Sequence, residues 1–286
     1  VQSRVIRDRL MKEAEGNVAL KVSQLPNSDA YEVAGRGELQ LAILIEQMRR
    51  EGFELTVGRP RVLMQEDANG NKIEPIEEAI IDVDEEFSGP VVEKLSQRRA
   101  DLVEMKPSGG GRIRLVFNAP TRGLIGYLTE LMTDTRGTAI FNRTFLEYQP
   151  YKGDIAQRHT GTLISNGSGE AVAFALFNLE DRGPMIVKPG DKVYQGMIVG
   201  EHTRGNDLEV NVLKGKQLTN MRSSGKDEAV KLTPPIKMTL EKALSYITDD
   251  ELVETTPQSI RIRKRELDPI ERKRQMRAAQ AAASGV

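Results

Sequence analysis

Cysteine is absent from all 286 residues, which excludes disulfide scaffolds, thiolate metal centres and cysteine nucleophiles and fits a reducing cytoplasm. Histidine is nearly absent too. His159 and His202 stand alone, without a carboxylate at ligand spacing, so a zinc or proton-transfer site is not expected and both read as surface residues. No apolar run approaches the roughly 20 residues of a membrane span, and no signal-peptide pattern opens the chain. A phosphate cradle of the form Gly-x4-Gly-Lys-Ser/Thr is missing as well, so nucleotide hydrolysis has no visible seat. The chain starts at Val1 rather than Met, already inside a helical pattern, which is the expectation for the C-terminal part of a longer protein.

What is present is an ordinary globular composition, 38% apolar, long enough for two or three domains. The formal net charge of −1 argues against wrapping long duplexes by charge alone and leaves room for a local basic finger.

One pattern occurs twice: a strand ends in an Arg-Gly turn that opens an amphipathic helix. Gly35-Arg36-Gly37-Glu38-Leu39 does this first, and Thr121-Arg122-Gly123-Leu124-Ile125-Gly126 repeats it. Each turn sits within a strand, helix, strand, strand, helix, strand succession, which predicts a four-stranded antiparallel sheet with two helices on one face. In the first unit the helix stripes are Ile6, Leu10, Ala14 and Leu41, Leu44, Ile45, Met48, with strands at 18–23, 31–34 and 53–57 and an edge segment at Arg61 to Gln65. In the second, alternation through Ile81 and Val83 leads to a helix carrying Val91 and Leu95. A hairpin then turns at Gly109-Gly110-Gly111, and Leu124, Leu128, Leu131 and Met132 mark the next helix.

From Gln149 onward short strands punctuated by glycine replace the helical period. Leu163 to Val172 reads as a hairpin turning at Asn166-Gly167. A helix is predicted between Thr239 and Ile247, a strand with one basic face around Ile260 to Arg263, and a frayed helical tail beyond Asp268. Lys188 to Gly200 has the strand-turn-strand grammar of carrier domains. The order along the chain is wrong for a carrier, so Lys237 reads as a surface or RNA-facing lysine.

The best candidate for contact with a partner is the segment Leu213 to Lys226. Lys214, Lys216, Arg222 and Lys226 stand there among Gly215, Gln217, Thr219, Asn220, Met221, Ser223 and Ser224, with no acidic residue. Lysine and arginine suit phosphates, asparagine and serine reach base edges or the 2′-hydroxyl, and glycine permits close approach of the backbone. A solvated loop is the competing reading, and composition alone leaves the two open. Arg261 to Arg265 and Arg98-Arg99 read as an exposed strand face and a helix end whose cations complement the dipole.

Residues 35–62 resemble the third domain of elongation-factor-G-type translational GTPases. Glu74 to Tyr148, with Leu95-Ser96-Gln97-Arg98-Arg99, resembles their fifth. A domain that separates the two in elongation factor G is missing, which leaves the smaller BipA (TypA) and LepA families. Thr121 to Gly126, Leu163 to Gly167, Val172 to Phe177 and Leu218-Thr219-Asn220-Met221-Arg222 are similar to the BipA family rather than to LepA.

The resemblance implies an α+β fold of two ferredoxin-like split β-α-β units followed by a mainly β C-terminal domain, divided at 1–72, 73–149 and 150–286. It also implies a chain without a GTPase domain, so that GTP and magnesium belong to an N-terminal half and no cofactor to this one. The implied partners are the ribosome, large-subunit rRNA near the A site and the GTPase-associated centre, and the acceptor end of A-site tRNA. Lys214, Lys216, Gln217, Thr219, Asn220, Met221, Arg222, Ser223, Ser224 and Lys226 would be the RNA-facing residues. The expected setting is a cytoplasmic monomer in large-subunit assembly and translation under stress or cold. A LepA-like portion and a ferredoxin-like small-molecule sensor are the alternatives, since fold alone does not fix function.

Overall fold

A computed structural model describes residues 3–156, 158–215 and 231–283. Its contacts gather into two compact units, Val1–Arg59 with Arg158–Val286, and Pro60–Gln157.

The first segment runs α1 (Ser3–Gly16), β1 (Lys21–Gln24), β2 (Tyr31–Ala34), α2 (Glu38–Arg50) and β3 (Leu55–Val57). The helix stripes expected from spacing meet the hairpin in a core of Leu10, Leu20, Leu44 and Met48, flanked by Ile6, Val22, Tyr31, Val33, Leu41, Phe53 and Leu55. Arg9 ties α1 to the end of α2 through Glu51, at 2.6 Å. The expected four-stranded sheet is not what forms here: β1 and β2 make a two-stranded hairpin, while β3 pairs elsewhere in the same unit. Val57 and Leu55 lie opposite Val253 and Thr255, so that the open edge of a three-residue strand is satisfied by a strand almost 200 residues further along.

The second unit contains β4 (Gln65–Glu66), β5 (Lys72–Asp84), α3 (Ser88–Gln97), β6 (Asp101–Gly109), β7 (Arg112–Pro120), α4 (Thr121–Leu124), α5 (Tyr127–Asp134) and β8 (Ile140–Pro150). The antiparallel order β8-β5-β7-β6 is that of a ferredoxin-like split unit, with β4 added against the start of β5. Of the expected edge segment Arg61 to Gln65, only Gln65 is strand, continued by Glu66. Alternate sheet residues Ile81, Val83, Leu115 and Phe117 bury against Val91, Leu95, Leu124, Tyr127 and Leu131 of the helices. Gly109, Gly110 and Gly111 form the hairpin tip, all with positive φ, a run only glycine adopts without strain.

The remainder comprises β9 (Gly161–Ser165), β10 (Gly169–Glu170), α6 (Ala173–Leu179), β11 (Lys192–Val193), β12 (Ile198–His202), β13 (Leu208–Val210), α7 (Leu240–Tyr246), β14 (Glu251–Thr255), β15 (Ile260–Lys264) and α8 (Pro269–Ala283). The hairpin read at Asn166-Gly167 does not form. Every residue of β9 is buried, so it acts as an interior strand between antiparallel β12 and parallel β13, and β10 pairs with β11 instead. The α6 helix, absent from the sequence reading, buries Ala175 and Leu176. The molecule is thus α+β, with eight α-helices among the described residues and several small sheets.

Candidate nucleic-acid interface

The described residues on both sides of the basic segment pack into one core that includes Leu163 of β9. On the leading side, Asn166 N–H donates to the Val210 carbonyl at 2.9 Å and Val172 N–H to the Val212 carbonyl at 3.0 Å. Val212 is fully buried beside Leu163, Val193 and Val199, and Leu213 packs against the same cluster. Leu213 also explains two glycines: a Cβ at Gly167 or Gly169 would meet its methyl groups at 3.2 and 3.1 Å. On the returning side, Leu232 joins this core, the Glu180 carboxylate accepts from Thr233 N–H at 2.7 Å, and Ile236 N–H donates to the Met185 carbonyl at 2.8 Å.

Of the residues expected to face RNA, Lys214 is exposed at the end of the leading stem. Lys216, Gln217, Thr219, Asn220, Met221, Arg222, Ser223, Ser224 and Lys226 lie outside the described residues. Lys237 and His159 are exposed, but His202 is buried rather than superficial, with Nδ1 against the Asn206 carbonyl. Among the described residues, no group of three or more His, Asp or Glu is placed to hold a metal ion.

The two Arg-Gly turns, alike in sequence, serve different ends. Arg122 lies over the Tyr151 ring, bonds the fully buried Glu74 at 2.7 Å and reaches the Gly153 carbonyl. Arg98, read only as a cation at a helix end, donates to the carbonyls of Gly123 and Ile125 at 2.8 and 3.0 Å and pairs with Glu130 at 2.8 Å. It thereby caps the short α4 turn, whose terminal carbonyls have no partner inside so brief a helix. Arg36 at the first turn is exposed, with its backbone N–H taken by the Gln40 side chain at 2.6 Å. Sequence spacing carries no sign of this difference, because Glu74 and Gly153 are remote along the chain.

A charge network around the buried Lys264 and Glu251 ties β15 to the residues that start β14 and precede β13. Lys264 reaches Asp207 at 2.6 Å, Asp250 at 3.0 Å and Glu251 at 3.1 Å, and Asp207 also accepts from the backbone and hydroxyl of Thr162. Burial pulls the Lys264 ammonium pKa down, but the three carboxylates outweigh it and leave the value raised. This network was not legible beforehand, since Lys264 read as part of an exposed strand face and is instead buried.

Residues 160–269 match the TypA/BipA C-terminal domain, and residues 71–159 match the elongation factor G C-terminus. The chain belongs to the TypA/BipA family. It is 55% identical over 279 residues to the large ribosomal subunit assembly factor BipA of Escherichia coli strain K12, covering 97% of this chain and 46% of that protein. The namesake from Salmonella typhimurium is 55% identical over 275 residues, 96% of this chain and 45% of the relative. That from Haemophilus influenzae is 51% identical over 275 residues, 96% of this chain and 44% of the relative. The chain spans about half the length of the curated relatives it matches. The match to the TypA/BipA C-terminal domain decides for the BipA resemblance over the LepA one, and the loop stems of the preceding geometry lie inside it.

Proposed function

We propose that this chain is the ribosome-docking portion of a large-subunit assembly factor of the BipA kind, and that it contacts RNA through residues 214–226. The observation that carries the reading is a basic, acid-free segment mounted by two fixed stems inside the region that matches the TypA/BipA C-terminal domain. Lys214, Lys216, Arg222 and Lys226 neutralise phosphates, and Gln217, Thr219, Asn220, Met221, Ser223 and Ser224 adapt to base edges and sugar hydroxyls. An irregular RNA surface rewards this mixture more than a uniform duplex does. The surfaces addressed are large-subunit rRNA near the A site and GTPase-associated centre, and the acceptor end of A-site tRNA. In the division 1–72, 73–149 and 150–286, the middle part supplies a ferredoxin-like split unit and the last part the RNA-probing domain.

Catalysis is not assigned to these residues. GTP and magnesium belong to a preceding GTPase half, and the chain acts as a cytoplasmic monomer. Cosedimentation with isolated large subunits tests the reading. Four phosphate contacts give a slope of log affinity against log salt of roughly −3, at about −0.7 per contact for non-duplex RNA. Binding that is absent or indifferent to salt overturns it.

A further inference from the structure

The face of the β15-β14-β3 sheet turned away from the core carries an arrangement that the basic loop does not account for. Val57, Val253 and Ile262 point into the hydrophobic cluster shared with α7, so the alternate residues Thr56, Glu254, Arg261 and Arg263 occupy the opposite face. Glu254 is the hub of this face. Arg263 Nε lies 3.2 Å from one of its oxygens, Arg261 Nε lies 3.6 Å from the other, and the Tyr194 hydroxyl donates to it at 2.6 Å.

The arrangement is unbalanced in charge and in hydrogen bonding. Two guanidinium groups share one carboxylate, the only acid with which either is ion-paired among the described residues. The Nε–H groups of both arginines are buried and donate no hydrogen bond: Arg261 is too far from Glu254 at 3.6 Å, and Arg263 makes an ion pair at 3.2 Å without one. Buried donors are ordinarily satisfied, and an exception calls for a cause. The side chains themselves stay partly open, 34% exposed at Arg261 and 21% at Arg263, so the forks are accessible from solvent. Successive outward residues on a strand are about 6.7 Å apart, a spacing that suits consecutive phosphates of an extended backbone, and each planar fork can engage one phosphate bidentately.

We infer that Arg261 and Arg263, positioned by Glu254 and Tyr194, form a second phosphodiester-binding surface for single-stranded RNA, in addition to the loop at 214–226. This rests on the ribosome-docking reading above and extends it from one RNA contact to two. Glu254 orients both arginines and keeps the pair at a net charge of +1, sufficient to attract a polyanion without binding anions indiscriminately. The Tyr194 hydroxyl, spent on Glu254, fixes the carboxylate that holds them.

The test is fluorescence anisotropy of a short labelled oligouridylate titrated with the whole chain across a salt series. The double substitution Arg261→Gln with Arg263→Gln is expected to reduce the salt slope by about 1.4, two contacts at about 0.7 each. Glu254→Gln, which removes the competing charge and keeps an acceptor for Tyr194, is expected to tighten binding several-fold at low salt. Circular dichroism and the thermal midpoint report folding of each variant. If the double variant unfolds, Glu254→Gln decides alone. An unchanged slope in a folded double variant, weaker binding by Glu254→Gln, no oligouridylate binding, or equal competition by a polyglutamate peptide overturns the assignment. Failure of the docking reading would look different: oligouridylate binding would persist while cosedimentation with large subunits vanished.

Discussion

Arg158 grips Glu251 with both terminal nitrogens, Nη2 to Oε1 at 2.8 Å and Nη1 to Oε2 at 3.0 Å, across 93 residues of sequence. Glu251 is fully buried and also receives Lys264, while Arg158 lies over the Tyr246 ring and donates to the Tyr246 carbonyl. The pair joins the residues leading into β9 to the first residue of β14. It therefore holds together the two sheets that carry the loop stems and the Arg261 face. A charge this deep is tolerable because both Glu251 oxygens accept hydrogen bonds, from Arg158, Lys264 and the Thr248 N–H, and Arg158 also donates to the Thr160 and Tyr246 carbonyls.

Removing one partner should be costly. Glu251→Ala leaves Arg158 and Lys264 buried with less compensation, and is expected to destabilise its unit by about 3–5 kcal/mol in urea denaturation. Arg274→Ala on α8, where the arginine is 80% exposed and pairs with Glu271, is the matched control and should cost no more than about 0.5 kcal/mol. Equal effects would show that the buried network does not organise this region.

The α4 turn admits no side chain at its third residue. A Cβ at Gly123 would sit 2.4 Å from the Arg98 carbonyl oxygen, which is backbone and cannot swing aside. Gly123→Ala is expected to cost about 1–3 kcal/mol and to loosen the Arg98 cap. Hydrogen exchange at α4 and α5 should rise together. Protection unchanged from the parent would contradict the tight packing.

Acid should weaken the second unit through Glu130. Burial raises its carboxyl, but Lys94 and Arg98 outweigh that and hold it below the ordinary glutamate value. A lowered folded pKa means that the stabilisation is complete above the unfolded value of about 4.3 and is lost as pH falls through the folded value. The expected observation is a decline in stability of residues 60–157 below about pH 4.3, shallower in Glu130→Gln. Parallel pH curves for the two proteins would count against this origin.

Much of the second unit was legible because its signals are local. The inward Leu124 and Leu131, the alternation through Ile81 and Val83 and the triple-glycine tip all state their own structure, although Leu128, read on the same inward stripe, is exposed. Long-range pairing was not legible. Leu55 and Val57 announce a strand but not that β14 completes it, and Asn166-Gly167 suggests a hairpin because the sequence does not reveal that β9 is buried on both faces. The α6 helix was hidden in an apolar run, Ala171 to Phe177, whose period favours neither helix nor strand. For the candidate interface, Lys214 and the acid-free segment were visible as composition. The roles of Arg98 and Arg122 depend on partners remote in sequence, and that of Glu254 on the β14-β15 register and on Tyr194, so they became apparent only from the fold.

The central claim is that residues 214–226 are the RNA probe of a ribosome-docking module. The most direct measurement is cosedimentation of the chain with large ribosomal subunits over a salt series, beside a variant with Lys214, Lys216 and Arg222 all changed to Ala. The account predicts binding with a slope near −3 in the parent, reduced by about 2 in the variant. Binding of equal strength and slope in both proteins would contradict it.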